Sequence, residues 1–334
     1  MAETQNIATI GEIVADRIFD VFGWKAIGPR NLNWECIDKE AHHRKRVTTH
    51  PSDVVFTYTD PYLGFPLFLN TDLKSYARDS ITSTAVGEAL RSLAYTVDCA
   101  GKAERWAEHY VGHKENWVVS GLLFIYNHDG AYHRDFDVLL QQVKPRQVPL
   151  PPGKRIFVLG PKRIEYLNAI VHDVYDGRGQ KKLPDKEFCG FYTPDLIGAK
   201  VRTSKIGPST IEMLLGPWQV LRFDNNATAN RLKGWWIYYA GEGKTVDEFN
   251  FLLDYIFTYQ LLGDEDAIEI RMPFGCPEAT AIFDRAKRHY GQEFWPVGET
   301  SPQDFLKRLE RITCRRVTGF SDHFSDVEIG MKRR

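Results

Sequence analysis

One stretch, residues 50–76 (HPSDVVFTYTDPYLGFPLFLNTDLKSY), limits what this chain can become more than any other. Val54–Thr59 is rich in β-branched and aromatic residues, and residues 66–70 follow with more apolar ones. Between them, Asp60-Pro61 opens a turn and Gly64 helps close it. The stretch reads as a β-hairpin. A turn centred on Tyr62 and Leu63 sets Asp53 opposite Asp72, a cross-strand spacing of roughly 5 Å. Lys74 lies two residues beyond Asp72 and shares its face. The opposite face pairs Phe56 with Leu69 and Tyr58 with Leu67, and so belongs to a core. One side of the ribbon is then apolar, and the other carries two carboxylates and an ammonium at its open end.

Like charges facing each other destabilise a strand pair, and a divalent cation removes that penalty. Mg²⁺ is commonly held by one or two carboxylates together with waters and phosphate oxygens. A lysine alongside can orient or deprotonate the attacking water and stabilise charge developing on phosphorus. These are the parts that metal-assisted phosphodiester hydrolysis needs.

Pro51-Ser52-Asp53 followed by Asp72-Leu73-Lys74 resembles the PD-(D/E)XK motif of the restriction-endonuclease-like nucleases. An amphipathic helix over residues 10–22 precedes the hairpin, with Glu12 near its start, where many members keep a third acidic residue. A second helix follows within residues 82–109. The resemblance covers about residues 10–140, or at its widest to about 200, and the second acidic position departs toward the shorter Asp. It implies an α/β fold with a restriction-endonuclease-like core, a mixed sheet flanked by helices. It also implies Mg²⁺ or Mn²⁺ held by Asp53 and Asp72, with the Leu73 carbonyl and Glu12 as further ligands and Lys74 acting on the water. The substrate it implies is DNA, cut to leave a 5′-phosphate, by a homodimer or by a hetero-oligomer with a partner protein. Restriction or anti-phage defence is the expected setting. RNA cleavage is not separable at this level, and a non-catalytic sensor subunit of a defence complex on the same scaffold is the alternative. Glu242-Gly243-Lys244 also fits acid-x-Lys, but has no upstream acid on a paired strand.

The 334 residues suffice for two domains. A net charge of −1 gives no global field toward nucleic acid, so DNA contact has to come from local patches. The basic run 42–46 (HHRKR) is one such patch, and Arg78 and Arg91 are weaker candidates. Five cysteines without a CxxC pair, and adjacent histidines without ligand spacing, indicate neither a zinc ribbon nor a disulfide framework. The odd cysteine count and the lack of a signal peptide point to a reducing cytoplasm. No apolar run reaches membrane-spanning length.

Residues 1–9 read as a frayed start and 24–50 as a long polar connection. The run 117–126 (WVVSGLLFIY) reads as a buried central strand. His128, Asp129, His133 and Asp135 cluster in sequence, but turn chemistry accounts for them. After a proline-rich crossing at 144–154, a strand is expected at 155–159, a helix at 164–175 and a strand at 188–196. The nuclease-like domain is taken to span 1–200. Residues 201–334 form a smaller α/β domain for substrate selection or assembly, with strands at 211–215, 219–223, 235–240 and 267–272 and helices at 246–262, 277–290 and 301–312. Residues 240–245 (AGEGKT) end like a phosphate-binding loop, yet Tyr238 stands where its first glycine belongs, so a tight strand-to-helix turn is expected.

Overall fold

The computed structural model describes residues 2–42, 48–194, 205–225, 231–263, 266–293 and 301–318. The chain divides into two compact units on either side of the Asn168–Ala169 junction.

The first unit opens with helix α1 (Ala2–Val21), which ends where Gly23 adopts φ 84°. The segment expected to be a polar connection holds three short strands, β1 (Lys25–Ile27), β2 (Leu32–Glu35) and β3 (Thr49–Ser52). The hairpin follows as β4 (Val54–Thr59) and β5 (Pro66–Tyr76). Then come α2 (Ser83–Ala100), α3 (Glu104–Tyr110), β6 (Val118–Asn127), α4 (Phe136–Gln141), β7 (Ile156–Leu159) and α5 (Pro161–Gly179). The main sheet runs β1-β4-β5-β6-β7, antiparallel over its first three strands and parallel from β5 onward, while β2 and β3 form a separate ribbon.

The hairpin has the register its turn implies. Val54 pairs with Thr71, Phe56 with Leu69 and Tyr58 with Leu67. Asp60 fixes the turn, its carboxylate accepting from the backbone N–H of Tyr62 and Leu63 at 2.8 and 2.9 Å. Gly64 at φ 76° closes it with nothing within 4 Å of a notional Cβ. The strand β6 is central, as its continuous apolar run requires, and Leu122 to Ile125 are fully buried.

Both faces of the sheet are covered. On one, Phe19 of α1 lies 4.5 Å from the ring of Phe56 and stacks on Trp24, which in turn stacks on Tyr58. On the other, Val55 and Phe68 pack with Trp34, Cys99, Trp106 and Val119. A Cβ on Gly121 would come within 3.0 Å of Leu93 and 2.9 Å of Val97, so glycine lets α2 sit close on β6. The face that carries Asp72 and Lys74 is therefore apolar at the closed end of the hairpin. Only its open end is polar, a narrower distribution than a simple two-sided ribbon.

The second unit is built on a six-stranded sheet. Its elements are β8 (Cys189–Thr193), β9 (Lys205–Gly207), α6 (Ile211–Leu215), β10 (Trp218–Asp224), β11 (Lys233–Tyr239), α7 (Val246–Thr258), β12 (Ile268–Met272), α8 (Ala279–Glu293), α9 (Pro302–Glu310) and β13 (Ile312–Arg316). The order is β13-β12-β11-β10-β8-β9, parallel across β11, β12 and β13 and antiparallel elsewhere. Together the units make a restriction-endonuclease-like α/β core with a mixed sheet flanked by helices, and a second, smaller α/β domain.

Three sequence expectations change here. The strand expected at 188–196 pairs with β10 rather than with the first sheet, so the compact units divide inside α5 and not near residue 200. The strand expected at 211–215 is α6. Thr210 caps it by accepting from the Met213 N–H, and Ile211 and Leu214 are buried at helical spacing. The last helix stops at Glu310, and residues 312–316 form an edge strand. The loop resembling a phosphate cradle is filled by its own chain: the Glu248 carboxylate accepts from the Gly243 and Lys244 N–H groups at 2.8 and 3.1 Å. An anion site whose donors are already taken by a carboxylate offers nothing to a phosphate.

Candidate active site

Asp53 follows β3 directly and precedes β4, one step beyond the Val54–Thr71 pair, which places it across from Asp72. Beyond Thr71, β5 runs on through Asp72, Leu73 and Lys74 while pairing only with β6. The freed edge is taken by Asp53, whose Oδ2 accepts from the Leu73 N–H at 2.8 Å. In an extended strand the N–H and C=O of one residue point to the same edge, so the Leu73 carbonyl opens on the side of Asp53. Lys74 Nζ sits 2.5 Å from Asp72 Oδ1, with the two side chains 32% and 15% exposed. The structure thus brings Asp53, Asp72, Leu73 and Lys74 together at the open end of the α2-covered face.

A buried polar floor lies under this end. Ser52 donates to Asn70 Oδ1 at 2.5 Å, Trp34 Nε1 donates to Ser52 at 3.0 Å, and Trp106 Nε1 donates to Asn70 Oδ1 at 3.2 Å. Asn70 is two residues before Asp72, so β2, β3, β5 and α3 are tied together under the site. Sequence reading missed Asn70, although an asparagine on the inward face of a strong strand needs buried partners.

Glu12 stands apart from the ligand set in direct contact. Its Oε1 accepts from Asn31 Nδ2 at 3.4 Å, and the Asn31 N–H donates to the Asp53 carbonyl at 2.9 Å. Asn31 takes φ 52°, a left-handed conformation that asparagine tolerates better than most residues. Glu12 is therefore linked to Asp53 through one residue, and Asn31 is a second supporting group that the sequence did not announce.

The electrostatics follow from this crowding. Burial first, then the charge of Asp72, pushes the Asp53 carboxyl up to about 6, against the opposing Leu73 N–H and Lys74 ammonium. Burial pulls Lys74 down, but Asp72, then Asp53 and Tyr76, outweigh it and hold the ammonium above its ordinary value. Lys74 is consequently charged at neutral pH.

A stability effect follows. Asp53 binds its proton more tightly folded than unfolded, so its favourable contribution is full below about pH 4 and is lost as pH rises through about 6. Asp53→Asn is expected to stabilise the protein at pH 7 by about 1–2 kcal/mol, allowing for partial solvent screening. Urea unfolding in Mg²⁺-free buffer at pH 7 and pH 4 measures it, and the gain should vanish at the lower pH. An equal gain at both pH values would show that Asp53 is not the strained group.

The remaining candidates are accounted for elsewhere. Asp129 Oδ1 accepts from Asn127 Nδ2 and the Ala131 N–H, its Oδ2 accepts from the Arg78 N–H, and Asp135 caps α4. Arg78 pairs with Asp79 and Arg91 donates to the Gln147 carbonyl. Of the basic run, residues 43–46 lie outside the described residues. Among the described residues, no helix is long and apolar enough to cross a membrane.

Comparison with known proteins fits this geometry. Searches of curated proteins and of solved structures each returned no match. Residues 1–163, which hold the hairpin, its aspartates and the lysine, match the family described as the GAPS4 protein PD-(D/E)XK nuclease domain, and the N-terminal unit of this chain accordingly belongs to the PD-(D/E)XK nuclease superfamily.

Proposed function

We propose that this protein is a metal-dependent DNA endonuclease whose site is Asp53, Asp72 and Lys74, with Glu12 in support. The observation that carries the reading is the convergence of two carboxylates and a protonated lysine on a freed strand edge, with Asp53 held near 6 by the crowding. Such a donor set suits a hard divalent cation: hard oxygen ligands, excess negative charge, and an acid whose proton a cation displaces. Asp53, Asp72 and the Leu73 carbonyl would hold Mg²⁺ or Mn²⁺, which when bound supplies charge neutralisation and polarises the scissile phosphate.

The chain's own groups do the rest. Lys74, kept protonated by its carboxylate neighbours, orients the attacking water and meets the charge that builds on phosphorus. Its raised pKa in the metal-free site supports a charge-bearing role. Asp72 holds the ammonium in place through the 2.5 Å contact. The Leu73 N–H orients Asp53, and Glu12 steadies the Asn31 turn against which Asp53 is seated. The second unit would serve substrate selection or assembly, and the working form would be a homodimer or a complex with a partner protein. A cytoplasmic role in restriction or anti-phage defence is part of this proposal.

The test is plasmid cleavage by the full chain with Mg²⁺, beside Asp72→Asn. Nicked or linear DNA with ligatable 5′-phosphates, absent with the variant and without divalent metal, is the expected result. Cleavage that persists undiminished in Asp72→Asn would place the chemistry elsewhere. No cleavage by the wild type, alone or with candidate partner proteins, would favour the sensor subunit.

A further inference from the structure

Four residues scattered through the sequence, Cys36, His42, His50 and Cys99, converge in the first unit. All are buried, and one candidate ligand atom from each lies within 4.8 Å of every other. Exposure is 3%, 5%, 0% and 1% in that order. They form the one such group of three or more His, Cys, Asp or Glu among the described residues. We infer that this cluster is a structural Zn²⁺ site, separate from the aspartate site, that fastens the β2–β3 ribbon to α2.

Three of the four ligands already hold the spacings of a zinc tetrahedron. Zn–S bonds of about 2.3 Å and Zn–N bonds of about 2.0–2.1 Å give a tetrahedron with S···S edges of about 3.8 Å and S···N edges of about 3.5–3.6 Å. Cys36 Sγ and Cys99 Sγ are 3.8 Å apart, and His42 Nδ1 lies 3.3 and 3.6 Å from them. A disulfide would need the sulfurs at about 2.05 Å. Two thiolates and two neutral imidazoles leave a Zn²⁺ site with no net charge, which suits full burial.

The outer groups orient both histidines as ligands. His42 Nε2 faces Asp98 Oδ2 at 3.1 Å, which directs its Nδ1 lone pair toward the sulfurs, and Asp98 is itself held by Lys102 at 2.7 Å. The Thr96 hydroxyl spends its proton on the Ser92 carbonyl at 3.0 Å, so it accepts from His50 Nδ1 at 3.4 Å. That leaves the Nε2 lone pair of His50 as the donor to metal. Four protein ligands close the sphere, which marks a structural rather than a catalytic ion.

The sequence hid this site because its ligands come from unrelated elements. Cys36 follows β2 and its N–H donates to the Thr48 carbonyl, His42 sits in the following turn, His50 is in β3, and Cys99 is near the end of α2. No short motif can display that. His50 is three residues before Asp53, so the ion would also fix the approach of the chain to the active site.

Elemental analysis of the full chain, purified from zinc-supplied cells without chelator and dialysed against Mg²⁺, tests it. One tightly held zinc per chain is expected, released by a thiol-blocking reagent. Replacement by Co²⁺ should give the visible bands of a tetrahedral ion with thiolate charge transfer. Asp53→Asn and Asp72→Asn should keep the zinc, Cys99→Ser should lose it, and Asp98→Asn should weaken binding roughly 10–100-fold. If Cys99→Ser does not fold, the wild-type cobalt spectrum decides alone. Protein without zinc, zinc lost with the aspartate variants, a Cys36–Cys99 disulfide in the fresh protein, or an octahedral cobalt spectrum without thiolate bands would overturn the inference.

Discussion

Alanine at Lys74 is expected to lower DNA cleavage by roughly 10²–10³-fold at saturating Mg²⁺, the size typical for removing one group that meets transition-state charge. The loss should fall on kcat, because the ammonium acts on charge that develops during reaction and not on the phosphate as first bound. Fold stability should change by no more than about 1 kcal/mol, since the side chain is a third exposed and its ion pair is partly screened. Lys74→Arg keeps the charge but not its compact shape, and should recover part of the rate. Single-turnover cleavage across pH 5.5–8 reads all of this. Full activity in the alanine variant would remove Lys74 from the mechanism.

The largest stability effect belongs to the second unit. Arg271 is 1% exposed and lies over the Trp236 ring at 3.6 Å. Its Nε and Nη2 donate to Asp173 at 2.5 and 2.6 Å, and its Nη1 donates to Glu269 at 2.8 Å. Tyr238 donates to the same Asp173 at 2.8 Å, and desolvation together with that carboxylate raises its own pKa well above the usual value. Arg271→Ala leaves the buried Asp173 with the Tyr238 hydroxyl and a 3.9 Å contact to Arg315 in place of its two close guanidinium bonds, and is expected to cost about 3–5 kcal/mol. Replacing both charges, Arg271→Met with Asp173→Asn, should recover at least half of that loss. Tyr238 can still donate to the amide oxygen, and Glu269 keeps Arg315 at 2.6 Å. Urea titration followed by tryptophan fluorescence is the measurement. A double variant no better than the single one would show that shape at Trp236, rather than charge, sets the cost.

The hairpin was legible because its information is local. Turn chemistry at Asp60, Pro61 and Gly64 sets the register, and strand periodicity then places Asp53, Asp72 and Lys74 together without reference to the rest of the chain. The same locality explains why β6, α2 and α1 from residue 10 onward could be read from apolar pattern and capping, whereas α1 in fact begins at Ala2, where a frayed start was expected. Short apolar runs lacked that security. IEMLL fits a strand or a helical turn equally, and Thr210 capping with burial of Ile211 and Leu214 selected the helix. Strands β1 to β3 hold three or four residues each, too few for a periodic signal, and exist because β4 and the partner ribbon strand offer them hydrogen bonds.

What the sequence determined alone was the pairing of two acids and a lysine at one end of a ribbon, since adjacent strands joined by a tight turn leave little freedom in register. The tertiary structure decided where that ribbon is polar, by covering the rest of its face with α2, α3 and Trp34. It also decided that Glu12 reaches the site only through Asn31, that residues 188–194 serve the second sheet, and that Cys36, His42, His50 and Cys99 meet. Each of those outcomes depends on packing between segments distant in sequence, whose meeting is governed by burial of apolar surface, a force that carries no direction and leaves no short pattern to read.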